Sequence, residues 1–113
     1  MFRKEINPFS VTDKIIFRNV DKTINLVVRA DASVLVNGLR KITGRLNEID
    51  DVSEEEKLSI AKTFAGLFFG DEQGEKLCEF YNNDPLAVVS ACGMYFKERL
   101  SKIVSKAQKK LRS

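Results

Sequence analysis

Few residue types in this chain could do chemistry. Histidine is absent, and cysteine occurs twice, as Cys78 and Cys92. A structural zinc site takes four Cys or His ligands, so two thiolates fall short, and imidazole base catalysis has no side chain to use. Both cysteines sit among apolar neighbours ("KLCEF", "SACGM"), where buried free thiols are expected rather than a disulfide. The densest carboxylates, Glu54-Glu55-Glu56, directly follow Ser53. That pattern reads as a capping box at a helix start, with the acids complementing the dipole, and needs no catalytic role. Gly70 and Gly74 flank "DEQ" without the spacing or the lysine–serine pair of a phosphate loop. The sequence predicts no enzyme, no metal and no cofactor.

Charge is the chemistry that remains. The net charge is +3, unevenly spread. Residues 1–50 carry nine basic and six acidic groups, 51–96 three basic and nine acidic, and 97–113 seven basic and one acidic. The acidic middle and the basic end could attract each other, within one chain or between copies. The chain closes on "RLSKIVSKAQKKLRS", residues 99–113. At about 100° per residue, Arg99, Lys102, Lys106, Lys109 and Lys110 form one stripe. Five phosphate contacts there would give a salt slope near about −4.5, so the stripe is the candidate nucleic-acid surface. It holds no aromatic residue to stack on bases, and lysines at a helix end also favour the dipole. A solvated face is therefore the first reading and nucleic-acid binding the second. A membrane-surface helix ranks last, because the opposite face lacks Trp and carries one bulky aromatic, Phe96.

Length and composition place these residues on a single domain, 1–113, with 43% hydrophobic and 31% charged residues. "MFRKEINPFSV" has no secretory core, and the richest apolar run, "FAGLFFG" at 64–70, is far short of a membrane span. A cytoplasmic location is expected. Residues 1–30 read as a β-hairpin, "KIIFRNV" and "TINLVV" around Asp21-Lys22. From Asp31 the period becomes helical: Leu35, Leu39, Ile42, Leu46 and Ile49 share a face, with Asp50-Asp51 at the exit. Ser53 then caps a helix whose stripe is Leu58, Ala61, Ala65 and Phe68, widened by Ile60, Phe64 and Leu67 and stopped by Gly70. A short third helix covers about 72–82, with Leu77, Phe80 and Tyr81 inward and Asn82-Asn83 as its stop.

Asp84-Pro85 opens the last helix as N-cap and N1. Leu86, Val89, Gly93, Phe96, Leu100, Ile103, Ala107 and Leu111 then recur at threes and fours, close to a heptad seam. The small run Ser90-Ala91-Cys92-Gly93 predicts tight packing against the second or third helix. Residues 84–111 would span about 40 Å, whereas a compact domain of this size is about 34 Å across. The final turns should therefore project, leaving Phe96, Leu100, Ile103, Ala107 and Leu111 as a seam for another subunit or partner. The expected fold is mainly α: four helices, the last one long, behind a short N-terminal β-hairpin.

The stretch "FFGDEQGEKLCEFYNNDPLAVVSACGMYFKERLSKIVSKAQKK", residues 68–110, resembles small tail-gene proteins of phages and prophages of Gram-positive bacteria, in particular tail assembly chaperones. The "FFG" helix stop, the acidic "DEQGEKL" turn, "EFY", "DPLA" and the long basic ending carry the resemblance, which spans about two fifths of the chain. It implies a non-enzymatic protein of the bacterial host cell's cytoplasm. Such a protein would form homo-oligomers and associate with tail components such as tape-measure or tail-tube proteins.

Overall fold

A computed structural model describes residues 10–112, with side chains from 11 to 106. The fold is mainly α with an N-terminal antiparallel hairpin. Strand β1 (Ser10–Asn19) pairs with β2 (Lys22–Asp31) from Ser10↔Asp31 to Asn19↔Lys22. The reversal falls on Val20-Asp21, one residue earlier than the sequence suggests. It places exposed Val20 at φ 60°, a left-handed value that a β-branched residue seldom adopts. Alternation sorts the strands' faces: Val11, Phe17, Leu26 and Val28 are buried, while Lys14, Ile16 and Arg18 face outward.

Asp31 caps α1 (Ala32–Asn47) by accepting from the Ser33 N–H at 2.8 Å. A single 3₁₀ turn (Ile49–Asp51) leads to α2 (Glu54–Phe69), whose cap Ser53 accepts from the Glu56 N–H at 3.2 Å. Helix α3 (Asp71–Phe80) follows after one residue, Gly70. With φ 86° and ψ 164°, Gly70 holds a conformation open essentially to glycine alone, and this permits the sharp α2–α3 reversal. The two helices meet backbone to backbone: a Cβ on Gly74 would lie 2.9 Å from the Gly66 nitrogen and 3.0 Å from its Cα. Asn82 and Asn83, at φ 58° and 56°, end α3 in the left-handed region that asparagine tolerates. Asp84 then caps α4 (Pro85–Tyr95), accepting from the N–H groups of Leu86 and Ala87.

The last helix does not run straight through. A π-helical segment, Phe96–Leu100, separates α4 from α5 (Ser101–Arg112). The buried positions explain it: Val88, Cys92 and Tyr95 are inward on α4, and the next inward residues are Leu100 and Val104. The step from Tyr95 to Leu100 is five residues, one more than an α-turn can keep on a single face. A π turn absorbs the extra residue. A continuous α-helix would instead turn Arg99 toward the core and leave Leu100 in water, forfeiting roughly 2 kcal/mol of burial.

One core cluster joins all these elements. Its centre is aromatic: Phe17 packs edge-on to Phe69 and Tyr95, with centroids 5.7 and 6.1 Å away, and Phe68 stacks on Phe96 at 6.0 Å. Cys78 and Cys92 are fully buried free thiols in the same cluster. Burial, with a smaller contribution from Cys78, pushes the Cys92 pKa up to about 12. Polar bonds hold the hairpin as well. The Gln73 amide donates to the Val27 carbonyl and accepts from the Val27 N–H, pairing with the free edge of β2 as a strand would. The Tyr81 hydroxyl donates to the Arg18 carbonyl.

The glycines make opposite predictions. Gly74→Ala should lose about 1–3 kcal/mol of stability, because the methyl meets backbone that cannot swing aside. Gly44→Ala, in open space within α1, should gain up to about 1 kcal/mol from helix propensity. Urea denaturation checks both, and equal effects of one sign would contradict this packing.

Candidate interaction surface on the C-terminal helix

Every predicted functional residue lies on the helix that runs through α4, the π turn and α5, so what clamps that helix determines the surface. The clamp is Asp13 on β1. It stands on the inward face with Val11 and Phe17, and its side chain is only 8% exposed. A carboxylate there needs partners, and the last helix supplies three donors. The Tyr95 hydroxyl donates to Oδ2 at 2.7 Å. Arg99 Nε donates to Oδ2 at 2.7 Å, and Arg99 Nη2 to Oδ1 at 2.8 Å, a bidentate fork. Tyr95 immediately precedes the π segment and Arg99 lies within it, so the clamp fixes the helix where its register changes.

Electrostatics follow from this arrangement. Burial raises the Asp13 pKa, but the hydrogen bonds from Arg99 and Tyr95 and the Arg99 charge outweigh it, and the net shift is downward. Tyr95 is pushed the other way, by burial and by its bond to the Asp13 carboxylate. It therefore remains a protonated donor throughout the neutral range.

The expected apolar seam is only partly external. Leu100 is 0% exposed, enclosed by its own domain, which corrects its assignment as an open interaction residue. Phe96 and Ile103 are half-buried against the same core, Phe96 stacked on Phe68. The physical reason is the register change: the π turn rotates α5 so that Leu100 and Val104 reach the space beneath the hairpin and α1. Ala107 and Leu111 lie outside the residues whose side chains are described, although the α5 backbone continues as helix through both positions.

The basic stripe is also altered. Arg99 gives two of its donors to Asp13 while its side chain stays 56% exposed, so within the stripe it also has a structural task. Lys102 and Lys106 are exposed, and Lys109 and Lys110 fall outside the described side chains. Upstream, the predicted face is turned around: Leu86 is 47% exposed, Val89 half-buried, and Gly93 has open space where a Cβ would stand. The buried face of α4 is Val88, Cys92 and Tyr95, and the small run packs through Cys92 rather than through Gly93. Sequence reasoning missed Asp13 altogether, although an acid on the apolar side of an alternating strand is a readable signal.

Elsewhere, a groove of about 460 Å³ lies between α1 and α2. Gly38, Ile42 and Leu67 line its apolar floor, with Lys41, Arg45 and Asp71 at its rim. Among the described residues no cluster of His, Cys, Asp or Glu could hold a metal ion, and no helix is long and apolar enough to cross a membrane. No family model, curated protein or solved structure matches the chain.

The clamp predicts a pH signature. Because the folded Asp13 pKa is depressed, its stabilisation is complete above the unfolded carboxylate value of about 3.9 and is lost as pH falls through the folded value. The melting temperature of Asp13→Asn should lie furthest below wild type near neutrality, and the gap should close below about pH 4. A gap that stays constant down to pH 2 would exclude the clamp.

Proposed function

We propose that the chain is a non-enzymatic protein-interaction module of phage tail morphogenesis, akin to a tail assembly chaperone, which associates with itself and with tail proteins through the free end of its C-terminal helix. The observation that carries this reading is the course of α5. With α4 and the π turn it forms one helical run from Pro85 to Arg112, about 40 Å long at 1.5 Å per residue. The molecule measures 50 × 32 × 27 Å, with a radius of gyration of 15.0 Å against about 13 Å for a compact chain of this length. A projecting amphipathic end is a standard means of docking into a groove on another protein.

Two further features support the reading. The acids of the middle segment, from Glu54 to Glu56 and at Asp71, Glu75 and Glu79, are almost all solvent-exposed, as are Lys102 and Lys106 on α5. Opposite charges on separate surfaces suit contacts between copies better than contacts within one. The resemblance of residues 68–110 to phage tail assembly chaperones supplies the setting, and the tape-measure and tail-tube proteins are the partners it suggests. Positions 107 and 111 take over the role assigned to the whole seam, since Leu100 faces inward.

Light scattering of the full chain tests this. Wild type should exceed its 12.8 kDa monomer mass, and Ala107→Glu with Leu111→Asp should reduce it to no more than a dimer while melting is unchanged. A wild type that stays monomeric, or assemblies unaffected by the double substitution, would overturn the reading.

A further inference from the structure

Helix α4 carries a second apolar face that the domain leaves open. From Pro85 to Phe96 it has no charged residue. Its inward face is Val88, Cys92 and Tyr95. At about 100° per residue, Leu86, Ser90, Gly93, Met94 and Lys97 fall within about 100° on the opposite side. Leu86 is 47% exposed and Met94 60%, Ser90 is exposed, and nothing lies within 4 Å of a Cβ built on Gly93. Scattered exposed apolar residues are ordinary, but an aligned pair on a charge-free helix is a patch.

The pattern of this face reads the same in both directions. Leu86 and Met94 each stand four residues from Ser90, on either side. Asp84 and Lys97 stand six and seven residues from it, about 9 and 10.5 Å along the axis, and carry opposite charges. The Asp84 carboxylate accepts from the N–H groups of Leu86 and Ala87, which holds it over the first turn of α4. Lys97 is exposed and has no ion-pair partner among the described residues.

We propose that α4 is a homodimer contact: two copies pack α4 against α4 antiparallel about a two-fold axis at Ser90. Leu86 of each copy meets Met94 of the other, and Lys97 of each reaches Asp84 of the other. Small Ser90, together with Gly93 and Ala87, lets the axes come close. Self-complementarity of this kind is what an isologous two-fold contact requires. An unrelated partner would have no need of matched positions on either side of a serine. The contact is separate from the one assigned to the end of α5 and stands without it.

A patch of three helical turns belongs to the small-interface class, so the dissociation constant should be on the order of 10–100 µM. Sedimentation equilibrium on the full chain should show a monomer–dimer equilibrium in that range. Met94→Asp should weaken it about tenfold or more with melting unchanged, since this side chain lies outside the core. Ser90→Cys should form a disulfide-linked dimer under mild oxidation, while Ser59→Cys, on exposed α2 surface, should not. The cross-link should persist when Leu111 is replaced by Asp, which separates this contact from that of α5. Ser90→Cys reacting no faster than Ser59→Cys, a cross-link lost with Leu111→Asp, or a dimer indifferent to Met94→Asp would each overturn the assignment.

Discussion

The five-residue interval between Tyr95 and Leu100 governs how the last helix sits, and much of the molecule follows from it. A buried face that advances by four, three, five and four residues cannot lie on one side of a regular α-helix. Either the helix winds differently at the long step or one half loses its burial. The chain winds a π turn there, and Asp13 secures it from the hairpin through Tyr95 on one side and Arg99 near its end. Sheet and helix thus depend on each other: the hairpin would be marginal without the helices beneath it, and α5 would lose its anchor without the hairpin.

That same register change divides the surface of the last helix into parts with different uses. On α4 an uncharged outward face remains, with Leu86 and Met94 in water. Through the π turn Phe96, Arg99 and Leu100 are spent on the clamp and the core, while Lys97 and Glu98 stay exposed. Beyond Val104, the sequence of α5 carries lysines and its backbone continues as helix to Arg112. Two separate contacts between copies, one self-complementary and one at a projecting end, would together build assemblies larger than a dimer, because they join different surfaces.

Much of the fold was legible because its signals are local. Asp31, Ser53 and Asp84 cap the helices that their sequence positions announce, and each accepts the expected backbone bond. Gly70 stops α2, and the asparagine pair ends α3. What escaped was set by pairing distant segments. The Gly66–Gly74 approach becomes visible only when α2 and α3 fold together. Asp13 and Arg99 are 86 positions apart, and neither residue alone signals the bond. The apolar seam was misplaced for a definable reason: threes and fours can be drawn through Phe96, Leu100 and Ile103, but they presume an unbroken α-helix. Val88, Cys92, Tyr95, Leu100 and Val104 are just as apolar, and only the five-residue gap marks them as the face that a π turn would bury.

In the proposed assembly the outward face of α4 and the end of α5 meet other copies, while Leu100 and the Asp13 clamp stay within each chain. Amide NMR spectra of the full chain over a concentration series test it most directly. Concentration-dependent shifts or broadening should gather at residues 86–94 and in the last turns of α5, with Leu100 and the Asp13 clamp unchanged. Spectra independent of concentration, or changes confined to the outward face of the hairpin, would contradict it.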